Sequence, residues 1–509
     1  MGGAASAGRV ASRFAARLAA LGVAAALAVA GAAAAASAAG ARPADGPWPT
    51  ANGGVTSHRA ASATTLDARS IPRLQVRWRF RLDVRHGSAF GAITANPVIR
   101  GDTVYLQDTA STVYALDARS GARRWTYRLA APNDGPNGIS VVGSRLYSAT
   151  DTTAFALDAT TGRRLWSRRL VRQGEQFVGI TPVVDRGRVY VSTQGFPPFG
   201  RGAIYALSAA TGKVVWRFDT IREPWPRPEA AGGGGAWYPV SIDERGNVYA
   251  GIANPGPWGG TKAFPNGAVF GGAALYTDSL VVLAGATGRL LWHDQVTPHD
   301  VRDYDFQVSP ILATVGGRGV VFGAGKAGRV LAWDRATQAR LWARAVGTHL
   351  HDLGPLPTET TRVCPGLLGG VLTPMAYAAG RLFVPVVELC MDESAVTSPS
   401  AFARPPAEGK GTVYALAAAT GRVAWQRQLG SAPFGCATVA RDAVFVPTYD
   451  GRVVAFANAD GRTLWSTRLR AGNNSCPAVG ADVLIVAGGA PHPGIAHPVT
   501  EVVAFAPGA

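Results

Sequence analysis

The stretch VYALDARSGARRW, residues 113–125, decides the fold of this 509-residue chain. Its first four residues alternate as in a strand with one buried face. The Asp-Ala-Arg-Ser-Gly that follows is typical of a tight turn, in which glycine tolerates a positive φ. A second strand then opens with Trp125, whose indole buries a large apolar area when it packs against a neighbouring sheet. The stretch therefore predicts a hairpin that needs neighbours on both sides.

Copies of this stretch end at Trp125, Trp166, Trp216, Trp292, Trp342, Trp425 and Trp465. Most copies follow one another at 40 to 50 residues, a period that fits a four-stranded propeller blade better than a helical repeat. Two half motifs remain, LQVRWRF around Trp78 and VVAFAP at 502–507, and joining them would close a ring without an exposed edge. We therefore predict an all-β, eight-bladed β-propeller over residues 45–507, with an open β-solenoid as the alternative.

The composition agrees with a turn-rich β protein, because 63 residues are glycine, 34 are proline and 47% are hydrophobic. Residues 1–39 are predicted to be a signal peptide, with a basic front, an alanine-rich apolar run and the small-residue pattern at 36–38. We expect a soluble exported protein, secreted or held in the cell envelope, without a stable membrane anchor. An uncleaved membrane anchor is the alternative.

The chain is strongly basic, with a formal net charge of +17, which falls to about +14 once the three arginines of the signal peptide are removed. Such a charge favours acidic partners, namely cell-wall polymers, anionic membranes or an acidic electron-acceptor protein. Nucleic acid is a poor candidate, because the protein is expected to be exported and its arginines are spread along the chain.

Four cysteines, Cys364, Cys390, Cys436 and Cys476, predict two disulfides in an exported protein. Sequence order favours the pairs Cys364–Cys390 and Cys436–Cys476, although three pairings are possible. No CxxCH sequence occurs, so covalent c-type haem is not expected.

Two intervals between motifs, Trp216 to Trp292 and Trp342 to Trp425, are longer than one blade and must hold inserted loops, where function usually lies. The stretch TPHDVRDYDF, residues 297–306, directly follows the first of these intervals. It concentrates one His and three Asp in a chain that is otherwise poor in acids. A solvated turn and a metal or proton-transfer site are both compatible with it.

Taken together, the repeats resemble those of the pyrroloquinoline quinone (PQQ) β-propellers, and the longer motifs resemble the quinoprotein alcohol dehydrogenases. The resemblance covers nearly the whole mature chain. Its most specific motifs are TPHDVRDYD and ANPGPW, supported by WPTANGG at 48–54 and the cysteine-bounded segment 364–390. It implies PQQ stacked on a tryptophan floor, a Ca²⁺ or lanthanide ion on oxygen ligands, and an aspartate general base.

The resemblance assigns roles to five residues. Trp237 falls at the floor position, and Asn254 at the position of a metal-ligating asparagine. Asp303 falls at the position of the catalytic base, which also contacts the metal. Asp305 falls where lanthanide-using members carry an extra aspartate ligand. Lys326 falls where the family places a Lys or Arg against the reactive quinone oxygens, so both a catalytic and a cofactor-binding role are implied. His299 and Asp300 are expected to brace the loop.

The chain also departs from the family pattern. Pro197 stands at the position of a metal-ligating glutamate, and Asn137 at the position of an arginine that holds the PQQ carboxylates. Thr94 replaces a glutamate, and the disulfide between adjacent cysteines is absent. Asp305 could replace the missing carboxylate, and Gln194 could supply a further oxygen ligand.

Two functions follow from this balance of matches and losses. The leading hypothesis is an exported PQQ-dependent oxidoreductase that acts on an alcohol or a sugar and uses Ca²⁺ or a lanthanide. The alternative is a propeller that has lost catalysis and acts as a binding or scaffold module of the cell envelope.

Overall fold

The hairpin predicted at 113–125 is present in the computed structural model as an antiparallel pair of strands. Asp117 begins its turn, and its carboxylate accepts hydrogen bonds from the backbone N–H groups of Arg119 and Ser120 at 3.0 and 2.9 Å. Gly121 follows with a φ of +73°, a conformation that strains a residue with a Cβ atom. The local sequence therefore dictates the turn, and the turn sets the two strands side by side.

Eight sheets, here called blades 1–8 in chain order, each contain four neighbouring strands. The structure describes residues 48–84, 90–133, 135–195, 200–221, 225, 231–397 and 404–508. The predicted signal peptide and Pro197 lie outside these ranges. Blade 1 contains Val98–Arg100, Thr103–Gln107, Thr112–Asp117 and Arg123–Arg128, and blade 2 contains Ser140–Val142, Arg145–Ala149, Thr153–Asp158 and Arg164–Arg169. Blade 3 contains Phe177–Val178 with Val183–Asp185, Arg188–Gln194, Ala203–Ser208 and Val214–Asp219. Blade 4 contains Ser241–Ile242, Val248–Gly251, Ser279–Leu283 and Leu290–Gln295.

Blade 5 contains Ile311–Val315, Arg318–Ala324, Arg329–Asp334 and Arg340–Ala345, and blade 6 contains Ala376–Ala378, Arg381–Glu388, Lys410–Ala417 and Val423–Leu429. Blade 7 contains Thr438–Ala440, Ala443–Pro447, Arg452–Ala457 and Thr463–Arg468, with Ala60–Ala61 added in parallel. Blade 8 contains Ala478–Val479, Leu484–Gly488, Glu501–Pro507 and Leu74–Arg81. Two short ribbons lie outside the blades, Gly232–Gly233 with Pro255–Gly256 and Thr361–Val363 with Met391–Glu393. The 3₁₀ segments are Ile71–Arg73, Pro265–Phe270 and Pro406–Glu408.

Blade 8 closes the ring, because its outer strand comes from the beginning of the chain. Leu74–Arg81 pairs antiparallel with Glu501–Pro507. The first strands of blades 8 and 1 are also neighbours. The predicted eight-bladed propeller and its closure by the terminal strands are therefore confirmed, and the solenoid alternative is wrong.

The repeated tryptophans join successive blades. The indole N–H of seven of them donates to a backbone carbonyl of the next blade at 2.9 to 3.1 Å: Trp78, Trp125, Trp166, Trp216, Trp342, Trp425 and Trp465. The turn glycine of the next motif lies against the indole ring, so that a Cβ on Gly212 would meet Trp166 at 2.5 Å. Six motifs thus supply the gap for the tryptophan of the previous blade, with Gly121, Gly162, Gly212, Gly288, Gly421 and Gly461, whereas Gln338 stands at this position in blade 5.

Residues 48–61 run past the first strands of the blades and tie them together. The segment accepts backbone hydrogen bonds from residues of six blades, namely Ile99, Val141, Ile242, Leu312, Tyr377 and Val439. Within this segment, the side chain of Arg59 is fully buried, and its guanidinium lies 5.6 Å from the ring centroid of Trp48. The guanidinium donates to neutral acceptors at 2.6 to 3.0 Å: Ala51 O, Asn52 Oδ1, Ala437 O, Thr438 Oγ1 and Pro477 O. Burial lowers the pKa of Arg59 to about 9.

Among the described residues, no helix is long and apolar enough to cross a bilayer.

The docking of the tryptophans on glycines yields a stability prediction. Gly212→Ala should destabilise the protein by about 2 to 4 kcal/mol, because it combines an unfavourable backbone conformation with overpacking against Trp166. Gly143→Ala is the matched control, since Gly143 also has a positive φ, +60°, but nothing lies within 4 Å of its added Cβ. Chemical denaturation of both variants measures the difference, and equal losses would contradict the proposed role of the glycine.

Candidate functional site

The acidic stretch 297–306 links the outer strand of blade 4 to the first strand of blade 5. His299 and Asp303 both adopt a positive φ, of 50° and 64°. The Asp300 carboxylate accepts the backbone N–H groups of Arg302 and Tyr304 at 2.9 and 2.6 Å. The ring nitrogens of His299 lie 3.0 Å from the carbonyl oxygens of Gly272 and Asn266. His299 and Asp300 therefore hold the shape of the loop.

Asp303 and Asp305 point at the same lysine. The Lys326 ammonium nitrogen lies 2.5 Å from Asp303 Oδ2 and 2.6 Å from Asp305 Oδ2. All three side chains are buried. Burial raises the pKa of Asp303 well above its ordinary value, although the Lys326 charge opposes the shift. Burial alone would lower the pKa of Lys326, but the two carboxylates raise it above the ordinary lysine value. The lysine stays charged and balances part of the acid cluster.

Asn254 adjoins this cluster through its backbone. Its N–H donates to Asp305 Oδ1 at 2.9 Å, and its carbonyl accepts the N–H of Gly234 at 2.9 Å. Its side-chain amide nitrogen is buried and has no hydrogen-bond partner within the described ranges. The fold thus brings Asn254, Asp303, Asp305 and Lys326 together from three separate parts of the chain.

Trp237 lines a cavity whose wall also includes Lys326. The cavity has a volume of about 770 Å³, part of it open to solvent. Its other walls are apolar side chains, amides and hydroxyls: Phe90, Pro136, Leu368, Leu372, Phe434, Asn96, Gln307, Asn474, Thr94, Thr373 and Tyr238, with Cys476. Lys326 is the one residue shared by this cavity and the acid cluster among the residues described. A ligand on Trp237 would therefore meet the ammonium group of Lys326.

Two positions that depart from the family pattern, Thr94 and Asn137, donate hydrogen bonds to backbone carbonyls. The Thr94 hydroxyl lines the cavity and donates to Gly135 O at 3.0 Å. The Asn137 amide is fully buried and donates to Val178 O at 2.7 Å, so it braces blade 3. Gln194 is buried, and its amide nitrogen has no partner within the described part of the chain. Lys326 is the one cationic side chain in the described lining of the cavity.

Asp278 is a residue that the sequence patterns did not single out. It has no solvent exposure, and neither of its carboxylate oxygens has a hydrogen-bond partner in the described residues. Burial raises the pKa of Asp278 well above its ordinary value, and the charges of Asp300, Asp305 and Asp303 raise it further. Nothing in the sequence ALYTDSLVVL distinguishes this residue from a turn aspartate, so its burial could not be foreseen.

Both predicted disulfides form, Cys364–Cys390 and Cys436–Cys476, as the sequence order favours. Cys476 lines the Trp237 cavity, and its backbone N–H donates to Asn96 Oδ1 at 2.9 Å. The disulfide Cys436–Cys476 therefore joins the entries to blades 7 and 8 beside the cavity.

The donor chemistry fits the two groups that the resemblance implies. Carboxylate oxygens of Asp303 and Asp305, with the side-chain carbonyl oxygen of Asn254, are hard ligands of the kind that Ca²⁺ and lanthanide ions prefer. The indole of Trp237 offers a flat surface on which a planar quinone can stack. Within the described residues, no three acidic, His or Cys side chains converge as a complete metal site. Any ion held here would need further ligands, such as oxygens of a bound cofactor.

Glu393, close to Asp300 and Arg302, gives a prediction on pH dependence. Burial raises the pKa of Glu393 from 4.5 to about 8, with Arg302 opposing the shift. Between these pH values the folded protein keeps a proton that the unfolded chain has released, so stability falls as pH rises. Glu393→Gln should remove this fall and stabilise the protein at pH 8.5 by on the order of a few kcal/mol, with little effect at pH 4.5. Unfolding at both pH values tests this, with the exposed Glu359→Gln as control, and a loss of stability at pH 8.5 contradicts it.

Comparison with known families places the chain among the PQQ β-propellers. Residues 48–140 and 182–348, just over half of the chain, match the family described as glucose/ethanol/alcohol dehydrogenase, beta-propeller domain. Residues 395–493 match the family described as outer membrane protein assembly factor BamB. The first match contains Trp237, Asn254, Asp303, Asp305 and Lys326.

Individual relatives are distant and longer. A quinohemoprotein alcohol dehydrogenase, ADH IIB of Pseudomonas putida, is 26% identical over 51% of this chain and 41% of its own length. A polyvinylalcohol dehydrogenase from Pseudomonas sp is 28% identical over 74% of this chain and 58% of its own length. The structure of the quinohemoprotein alcohol dehydrogenase ADHIIG from Pseudomonas putida HK5 superposes with a TM-score of 0.78 at 23% identity, over 91% of this chain and 80% of that one. The chain thus spans less than two thirds of these curated relatives.

Proposed function

Because the chain belongs to the PQQ β-propeller family, we propose that it is an exported PQQ-dependent oxidoreductase that oxidises an alcohol or a sugar. The observation that carries the proposal is the position of Lys326. Lys326 lines the Trp237 cavity, and its ammonium group pairs with Asp303 and Asp305. One continuous site therefore contains the stacking surface of Trp237, the cationic side chain of Lys326 and the carboxylates of Asp303 and Asp305.

Trp237 and Lys326 would hold PQQ, and Asn254, Asp303 and Asp305 would hold Ca²⁺ or a lanthanide. When bound, the quinone supplies a hydride acceptor and the metal a Lewis acid that polarises it. The role of Asp303 is to take the hydroxyl proton of the alcohol on a carboxylate oxygen. Burial raises the pKa of Asp303 well above its ordinary value, and pairing with Lys326 offsets only part of that shift toward the ionised carboxylate that this role needs. The apolar side chains Leu368 and Phe434 line the same cavity and limit the access of water.

The proposal also covers location and partners. Export would place the enzyme outside the cytoplasm, secreted or in the cell envelope, without a membrane anchor and without nucleic acid as a partner. Its small-molecule substrate would be an alcohol or a sugar. The positive net charge of the chain, +17, supports an acidic electron-acceptor protein as the partner that reoxidises the cofactor.

Titration of the apo-protein with PQQ in the presence of Ca²⁺ or La³⁺ tests the binding half of this proposal. Tryptophan fluorescence should be quenched at micromolar PQQ with at least one of the two metals, because the quinone would stack on Trp237. The Trp237→Phe variant should show weaker quenching. Absence of quenching with either metal would contradict the enzyme hypothesis and favour the non-catalytic envelope module.

Dye-linked alcohol oxidation tests the catalytic half. Asp303→Asn should reduce turnover by about 10²-fold to 10⁴-fold, since the general base is lost, while quenching by PQQ stays close to that of the unmodified protein. Asp460→Asn, in an exposed turn of blade 7, is the control for removal of one carboxylate. Unchanged turnover in Asp303→Asn would remove Asp303 from the role of base.

A further inference from the structure

Four successive blades carry an arginine at the same place on their outer strands. Blades 7, 8, 1 and 2 have an exposed arginine three residues after the repeated tryptophan: Arg468, Arg81, Arg128 and Arg169. Blades 3 to 6 have other residues at this place: Asp219, Gln295, Ala345 and Gln428. The tryptophans of blades 7, 8 and 1 each donate to the next of these blades. The outer strands Thr463–Arg468, Leu74–Arg81, Arg123–Arg128 and Arg164–Arg169 therefore form one continuous arc of the ring, here called the basic arc.

The outer strands of blades 8, 1 and 2 concentrate positive charge on this arc. Together they contain nine arginines and no acidic residue, whereas the outer strands of the other five blades contain five arginines and two aspartates. Because the three strands belong to successive blades, the ring gathers arginines that are spread over residues 77–169 of the sequence.

Most of these arginines have no acid to balance them. Three of the nine pair with acids of their own blades at 2.6 or 2.7 Å: Arg77 with Asp482, Arg79 with Glu501, and Arg124 with Asp102 and Asp117. Within the described ranges, the other six have no acidic partner: Arg81, Arg123, Arg128, Arg164, Arg168 and Arg169. Two of the six, Arg168 and Arg169, donate to the carbonyl oxygens of Gly212 and Val171, which carry no full charge. In blade 7, Arg468 pairs with Asp450 at 2.6 Å.

A row of uncompensated guanidinium groups favours a partner that carries repeated negative charges. A guanidinium group can give two parallel hydrogen bonds to a phosphate, and it stays charged at any physiological pH. The tetrahedral oxygens of a phosphate also accept hydrogen bonds from several directions. This geometry suits arginines that approach from different strands better than a planar carboxylate does.

The curvature of the basic arc favours a flexible chain over a flat surface. Eight blades around one axis turn by about 45° from each to the next, so the outer strands of blades 7 to 2 spread over about 135°. A flat bilayer cannot meet all four strands at once, whereas a flexible polymer can follow them. Insertion into a bilayer also needs exposed apolar side chains. In these four described strands, Val76 is the one large hydrophobic side chain that is exposed.

The aromatic side chains of the basic arc are already occupied by contacts within the protein. Proteins that bind single-stranded nucleic acid stack the bases on aromatic rings. All four tryptophans of the arc donate to backbone carbonyls of the next blade. The rings of Phe80 and Tyr127 pack against those of Tyr114 and Phe155, with centroids 5.9 and 6.1 Å apart. The arc therefore offers charge without a stacking surface, which fits phosphate groups that carry no bases.

We propose that the basic arc binds a flexible linear polymer of phosphate groups that carries no bases. Arg81, Arg128 and Arg169 would each contact the polymer from one of three successive blades. None of the arginines of the arc lines the cavity of Trp237. Such binding would hold the protein on the polymer and leave the cavity open to small molecules, so the inference goes beyond the proposed function and does not depend on it.

Titration with fluorescently labelled inorganic polyphosphate tests the proposal, with anisotropy measured at several salt concentrations. The triple variant Arg81→Gln, Arg128→Gln, Arg169→Gln should lose at least about tenfold in affinity at low salt, because three phosphate contacts and the counterions they release are lost. The slope of log affinity against log salt should become shallower by about 2. Lysine at the same three positions keeps the charge and should restore most of the affinity, which separates a lost contact from a lost fold.

A second triple variant is the matched control. Arg245→Gln, Arg289→Gln, Arg422→Gln removes the same charge from exposed positions of blades 4 and 6. It should change the affinity for polyphosphate by less than about twofold at the same salt concentration. Equal losses in the two triple variants would mean that the net charge of the chain is responsible, and would overturn the proposal.

Three further results would overturn the proposal and name another occupant. Tighter binding of an oligothymidylate with the same number of phosphates would assign the arc to nucleic acid. Tighter binding of polyglutamate would assign it to an acidic polypeptide. Binding of vesicles that contain anionic phospholipid, with none of polyphosphate, would assign it to a membrane surface. PQQ quenching and dye-linked turnover should be unchanged in the arc variant, so failure of either proposal leaves the other standing.

Discussion

The contact between a repeated tryptophan and the turn of the next blade, made by seven of the eight tryptophans, is the constraint on which the molecule depends. The indole N–H needs a carbonyl acceptor, and the ring needs a gap that only glycine leaves. Both requirements are met at almost the same place in successive motifs, so the spacing between blades hardly varies. Residues 297–306 start after the outer strand of blade 4 and lead into the first strand of blade 5, so both ends of the loop are anchored in sheets. These anchored ends allow three distant segments to meet around Lys326.

The interior of the ring has a charge distribution opposite to that of the chain as a whole. The protein carries +17, yet two of its acids, Asp303 and Asp305, are buried around Lys326 beside the cavity. Beneath them the buried guanidinium of Arg59 binds only neutral acceptors. Because Tyr238 lies within reach of the charges of both Arg59 and Lys326, the wall of the cavity is flanked by two cations.

The sequence was sufficient for the fold because its signal is local and repeated. Strand alternation, turn aspartate and docking tryptophan recur within thirteen residues, so each blade could be predicted separately. The same is true of the acidic stretch, whose residues Asp303 and Asp305 are close in sequence. Asp278 could not be predicted, because one aspartate before an apolar strand shows no pattern, and only packing reveals that it is buried. The pairing of Lys326 with both acids was missed for the same reason, since the strand that precedes it comes from a different blade.

The closure of blade 8 has a consequence for biosynthesis. Leu74–Arg81 leaves the ribosome early, but its partner Glu501–Pro507 is made more than four hundred residues later. Until then the early strand has an unpaired edge, and blades 1 and 8 have no common boundary. Contacts of such high sequence separation are slow to form, because a long loop must close first. Glu501–Pro507 therefore completes a sheet that Leu74–Arg81 began, and a chain truncated before Glu501 would be left as an open array of blades.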